Sequence, residues 1–211
     1  MTGPSNSAAL RLIESWPDWP APVVLLTGPS GSGKTHLAHI WAAKANAGIV
    51  PASALSLDSG VPGLSPGGAV VVEDVLPDAV PEAALFHLIN SVREVGGSLL
   101  LTSRSQPDDW RASLPDLRSR LRLAAPAALG APEDDLLRRV LVKLFADRQL
   151  VVDKPVIDYL ISRMERSLSA AVSLVEALDH AALAAGRRIT RAMAAGILAE
   201  TVVSGEFADQ Q

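Results

Sequence analysis

No cysteine occurs in the 211 residues. That excludes disulfides, thiolate metal sites and cysteine nucleophiles together, and it suits a reducing compartment, so a cytoplasmic location is expected. Aromatic residues are scarce: one Tyr and three Phe beside four Trp are too few for a surface that stacks on successive bases. Positive charge is not in excess either. Lys and Arg number 19 against 23 Asp and Glu, a formal net charge of -4, which argues against strong direct nucleic-acid binding, because counterion release needs many clustered cations. No apolar run approaches the roughly 20 residues that span a bilayer, and Met1–Asn6 has neither the basic region nor the apolar block of a secretory signal. No membrane is expected as a partner.

What is present is organised around Gly28-Pro29-Ser30-Gly31-Ser32-Gly33-Lys34-Thr35, which fits the phosphate-binding pattern G-x-x-x-x-G-K-[ST]. A loop that wraps a polyphosphate must turn successive backbone N–H groups inward, and side chains at the glycine positions would block that approach. Lys34 supplies a point charge for the outer phosphates, and the Thr35 hydroxyl can join the shell of a Mg2+ that also holds phosphate oxygens. The flanks agree. Val23–Thr27 is a continuous apolar run, as a strand buried on both faces should be, and Leu37, Ile40 and Trp41 recur at helical spacing. Strand, glycine loop and helix together aim a helix N-terminus at an anion.

Along the chain, Leu10 and Ile13 mark a short helix over 7–14, which Trp16-Pro17-Asp18-Trp19-Pro20 stops. The two Trp are expected to cover an edge of the core, with stacking on an adenine as the alternative. Gly48–Val50 reads as a second strand, and 53–68 as a loop. Ala69–Val72 is an apolar strand ending in Glu73 and Asp74, candidates for holding Mg2+ and polarising a water. A helix follows over 81–95, then a buried strand over 98–103 that ends in Thr102 and Ser103. Those hydroxyls suit either sensing the outermost phosphate or bonding their own turn. Residues 114–123 alternate basic and apolar side chains, as a helix end running into a final strand would. Residues 124–131, with a proline and a glycine and a second proline directly after, read as a hinge. From Pro132 the signal is helical: Leu136, Val140 and Leu144 on one helix, a shorter one from Asp153, a longer one capped by Ser167 or Ser169 and carrying Val172, Val175, Leu178 and Leu183, and a last one ending near Leu198 before a polar tail. The expected architecture is an α/β domain over 1–128 with a five-stranded parallel sheet, then a small all-helical lid over 129–211.

Several of these stretches together resemble a known family: Gly33-Lys34-Thr35-His36-Leu37, the acidic strand end Glu73-Asp74, Leu100–Ser103 with Pro107 following, Ser119-Arg120-Leu121, and Gly186-Arg187-Arg188-Ile189-Thr190. They are similar to the AAA+ P-loop NTPase module of the bacterial replication initiator DnaA. The initiator carries a DNA-binding domain after its lid, whereas this sequence stops at the lid, so the resemblance is to the short, Hda-type regulatory inactivators.

That resemblance implies a nucleotide-bound adaptor. Such a protein presses an arginine finger onto ATP held by the initiator, drives hydrolysis there and so represses initiation, while tethered to the DNA polymerase sliding clamp. It implies that Gly28 to His36 cradle ADP or ATP, that Lys34, Thr35 and Glu73 serve phosphate and Mg2+ with Asp74 beside them, that Thr102 and Ser103 form the first sensor, and that Arg120 is the finger. A guanidinium suits that role because it is planar, permanently charged and can bridge two phosphate oxygens. Proteins of this fold place nucleotide at subunit boundaries, so a homodimer is expected. Three features depart from the family pattern. Glu73 stands where an Asp is usual; Ser169 stands where a lid arginine is usual, with Arg166 one turn earlier; and no clamp-binding peptide of the Gln-Leu-x-Leu type occurs in Met1–Leu10. The competing readings are a self-sufficient P-loop NTPase or small-molecule kinase, and a DnaA-like helicase-loading protein.

Overall fold

The computed structural model describes residues 1–57, 64–76, 79–110 and 114–208, the side chains of 201–208 excepted. Residues 58–63, the middle of the expected 53–68 loop, lie outside the described residues. The chain divides into two compact units, Pro4–Gly130, and Ala131–Gln211 together with Met1–Gly3.

In the first unit, β1 (Val23–Thr27), β2 (Gly48–Pro51), β3 (Ala69–Glu73), β4 (Ser98–Ser103) and β5 (Ala125–Ala128) form one sheet. Its spatial order is β2-β3-β4-β1-β5, with every pairing parallel. A strand covered on both faces has no polar side, and all five residues of β1 are accordingly buried. Alternate residues feed two layers. Val24, Leu26, Val71 and Leu100 pack with Ile13 of α1 (Ser7–Glu14) and Leu37 and Trp41 of α2 (Lys34–Ala45). Leu25, Val70, Val72, Leu99 and Leu101 pack with Leu85, Leu88 and Ile89 of α3 (Glu82–Glu94) and Leu117 and Leu121 of α4 (Pro115–Arg122).

Trp41 is fully buried. Trp19 stacks on it with ring centroids 4.8 Å apart, Trp16 meets it edge-on at 6.2 Å, and Trp16 Nε1 donates to Ser98 Oγ at 3.1 Å. Ser98 begins β4, so these rings lie at the end of the sheet opposite the glycine loop.

The fifth strand differs from expectation. Residues 115–122 are wholly helical as α4, and β5 occupies 125–128, where a hinge was expected. Three alanines and a proline carry no strand signature. An edge position tolerates them: Leu129 N donates to Thr27 O at 2.7 Å, so residues of odd number face β1 and Pro126, which has no N–H to offer, faces outward.

The second unit contains α5 (Asp134–Asp147), α6 (Lys154–Ile161), α7 (Leu168–Ala185) and α8 (Arg191–Ala208). The last helix thus runs ten residues beyond its expected end at Leu198. Leu141, Phe145, Ile157, Leu160, Leu174, Val175 and Leu178 make its core. On α7 the buried face carries Ala171, Leu174, Val175, Leu178 and Ala182, whereas Val172 and Leu183, expected inside, are exposed. Small alanines did not register as core positions beside larger residues one step away. By length and composition α7 could also cross a membrane, but it carries Glu176 and Asp179 and lays that buried face on its neighbours. Ser167 caps it, accepting a hydrogen bond from Ala170 N at 3.1 Å.

Candidate functional site

The carboxyl ends of β1, β3 and β4 lie side by side, which is where parallel sheets gather ligand-binding loops. The chain leaves β1 at Gly28, whose N–H donates to Ser103 O at the end of β4 (3.3 Å). A Cβ at Gly28 would meet Leu129 O at 2.6 Å and Ser32 Oγ at 2.9 Å, so only glycine fits between the loop and the chain that follows β5. Gly31 and Gly33 have φ of +67° and +97°, the left-handed region that side chains resist. They swing the loop round to start α2 at Lys34, whose first-turn amides have no intrahelical partner.

Lys34 is buried at 7% exposure. Its Nζ donates to Gly28 O at 2.7 Å and to Pro29 O at 2.8 Å. Burial lowers its pKa from the ordinary 10.5, and the nearby Arg104 guanidinium lowers it further, while Asp74 acts in the opposite direction. The loop therefore holds a cation that is costly to keep charged, a condition that an anion would relieve. Thr35 and His36 are exposed at the start of α2.

The acidic strand end adjoins this loop. Glu73 closes β3, with one carboxylate oxygen, Oε2, 3.3 Å from His39 Nε2 and the other, Oε1, buried without a partner. Asp74 is exposed at φ +54°. Its N–H donates to Thr102 Oγ1 at 3.0 Å, Val75 N donates to Thr102 O at 2.8 Å, and Ser103 Oγ donates to Val75 O at 2.9 Å. The Thr102 and Ser103 hydroxyls, both buried, thus hold the backbone just beyond β3.

Besides His39, two neighbours escaped the sequence. Arg104 follows Ser103 and acts electrostatically on Lys34, and Gln106 Nε2 donates to Thr27 Oγ1 at 2.8 Å. Neither belongs to a motif; only the parallel register of Thr27 with Ser103 brings them beside the loop.

Orphaned polar atoms test whether the site fits a nucleotide with Mg2+. Ser32 Oγ and Glu73 Oε1 are buried and unpartnered, which in a native interior signals a missing water, ion or ligand. The residues fit: the glycine loop and Lys34 offer donors to phosphates, Thr35 and Glu73 offer oxygen to a hard cation. Among the described residues no three His, Asp or Glu side chains converge on a metal position, and Mg2+ ordinarily takes one or two protein oxygens and completes its shell with phosphate and water.

Arg120 stands apart from this cluster, in the last turn of α4, partly exposed and without an ion-pair partner among the described residues. Arg122, two residues on, is tied to Asp108 at 2.6 Å. In the second unit Ser169 Oγ bonds Ser167 Oγ at 2.7 Å, and Arg166 pairs with Asp134 at 2.9 Å.

The structure is similar to domain III of the replication initiation protein DnaA from Thermotoga maritima, with a TM-score of 0.76 at 15% identity over 94% of this chain and 93% of that one. AMPPCP-bound DnaA from Aquifex aeolicus gives 0.70 at 16% over 83% of this chain and 62% of its own. The RuvB Holliday junction branch migration motor of Thermotoga maritima gives 0.70 at 17% over 90% and 66%. With its five-stranded parallel sheet, phosphate loop after β1 and following helical unit, the chain has the fold of the AAA+ domains of these proteins. Residues 134–195 match the family model described as "Hda, lid domain", and a Haemophilus influenzae protein described as uncharacterized is 29% identical over 184 residues, 82% of this chain and 80% of that one. The second unit is thus similar to an Hda lid domain, and the fold as a whole is similar to that of DnaA.

Proposed function

We propose that this chain is a nucleotide-bound adaptor that stimulates ATP hydrolysis on the replication initiator DnaA and so restrains chromosome initiation. The Hda-type lid and the DnaA-like core support a DnaA-related replication regulator. Nucleotide binding is supported by the cradle and by the binding of AMPPCP to a DnaA of the same fold. In this reading Gly28 to His36 enclose ADP or ATP, Lys34 neutralises the outer phosphates, and Thr35 and Glu73 hold Mg2+, which when bound screens phosphate charge. Asp74 orients water. Thr102 and Ser103 keep the strand-end backbone in position for that work. The protein acts as a homodimer in the cytoplasm, with the sliding clamp as a further partner.

The observation that carries the reading is the condition of Arg120. Leu117 and Leu121 bury one face of α4, and among the described residues this guanidinium at the helix end has no ion-pair partner. Arg122 is engaged by Asp108, whereas Arg120 is available to another subunit's triphosphate, as an arginine finger has to be.

The test is reconstitution of the purified chain with initiator, loaded clamp and ATP, following the nucleotide on the initiator. Wild type accelerates its hydrolysis, and Arg120→Ala abolishes the acceleration by about 1000-fold, the lower end of an arginine finger's contribution, while still binding nucleotide. Brisk turnover by the isolated chain that survives Arg120→Ala would instead establish a self-sufficient NTPase.

A further inference from the structure

On the nucleotide reading above, Glu73 raises a geometric problem: it carries one methylene more than aspartate, so its carboxylate has an extra rotor to fix. The structure supplies a clamp. α2 packs against β3, and His39 lies four residues after Thr35, on the same face of α2. Its Nε2 is 3.3 Å from Glu73 Oε2, with the Glu73 side chain only 17% exposed. The second oxygen, Oε1, is buried and has no partner.

We propose that His39 is the positioning residue of this site: its Nε2–H anchors Oε2 and leaves Oε1 as a single fixed oxygen for Mg2+ or for a water in its shell. The His39–Glu73 pair then does what a shorter aspartate does unaided. Three placements combine in this assignment: a donor one turn beyond the metal-side hydroxyl of Thr35, one carboxylate oxygen spoken for, and the other oxygen buried and unsatisfied. A carboxylate with both oxygens free would keep its rotational freedom and lose it on every binding event. Anchoring one oxygen removes that cost, as hydrogen-bonding partners of metal ligands generally do.

The test is a Mg2+ titration of the affinity for a non-hydrolysable adenosine triphosphate analogue, by calorimetry on the full chain. The proteins compared are wild type, His39→Ala, His39→Gln, Glu73→Gln and the double variant His39→Ala/Glu73→Gln. Removal of the imidazole is expected to raise the Mg2+ concentration for half-maximal tightening by about tenfold, the lower end of what losing such a partner costs. His39→Gln, whose amide N–H can still reach Oε2, recovers most of the loss. Glu73→Gln removes most of the Mg2+ dependence, and His39→Ala then adds nothing. The inference is overturned if His39→Ala leaves the titration where it was, if its effect is as large in the Glu73→Gln background, or if wild type binds the analogue with no Mg2+ dependence. His39→Asn, whose amide is too short to reach, is a second loss variant should the alanine form not fold. Wild type that binds no nucleotide under any condition overturns the nucleotide reading as well, so the two failures are distinct.

Discussion

The amide of Asp74 donates to Thr102 Oγ1 at 3.0 Å, linking the ends of two adjacent strands through a threonine that is 1% exposed. Asp74 sits at φ +54°, a left-handed conformation that Asp tolerates better than most side chains and that this bond helps to fix. Thr102→Val removes the acceptor while keeping the shape. The expected cost is about 1–2 kcal/mol in urea unfolding, with Thr102→Ser close to wild type. Equal stability of Thr102→Val and wild type would show that the bond contributes nothing.

Gly28→Ala tests the fit of the loop against the chain after β5. The added Cβ would press on Leu129 O at 2.6 Å, a backbone atom that cannot step aside as a side-chain tip could. A stability loss of about 1–3 kcal/mol is expected, together with loss of nucleotide binding. A variant that melts and binds like wild type would refute the close approach.

On the proposed nucleotide reading, Lys34 should make binding depend on pH. Its pKa is lowered from 10.5, by burial first and then by Arg104. Between the lowered value and 10.5 the unfolded chain binds the proton and the folded chain does not, so the unliganded protein gains stability as pH rises through that interval. Polyphosphate favours the ammonium, so its affinity falls over the same interval. Calorimetry in two buffers of different ionisation heat should show proton uptake on binding there and none at lower pH. Arg104→Ala removes a like charge and should shift the fall to higher pH. Affinity that stays flat up to 10.5, with no proton uptake, would contradict this.

Ser167→Ala addresses the lid separately. The Ser167 hydroxyl is buried and caps α7 by accepting from Ala170 N, so its loss should cost about 1 kcal/mol in thermal unfolding. Ser169→Ala should cost less, since that hydroxyl contacts only Ser167 Oγ among the described residues.

Much of this was legible in the sequence because local and global demands coincide. The Val and Leu runs of β1, β3 and β4 are what a doubly covered sheet requires, and Gly28, Gly31 and Gly33 mark the turns that only glycine makes comfortably. β5 was hidden because an outermost strand needs little propensity, so Ala125–Ala128 looked like a connector. The inward face of α7 was partly misread because Ala171 and Ala182 fill space that Val172 and Leu183 were expected to occupy. His39, Arg104 and Gln106 were invisible for a different reason. Each reaches the site across strand register or helix packing, contacts that no spacing along the chain encodes.

Pro126 carries a consequence for how copies of this molecule can meet. With its ring turned outward on β5, that rim of the sheet is short of a donor where a neighbouring chain would need one. Prolonging the sheet there with a second copy would forfeit one main-chain hydrogen bond. Association on that side is correspondingly better written in side chains, where a single substitution can adjust it without disturbing the backbone beneath.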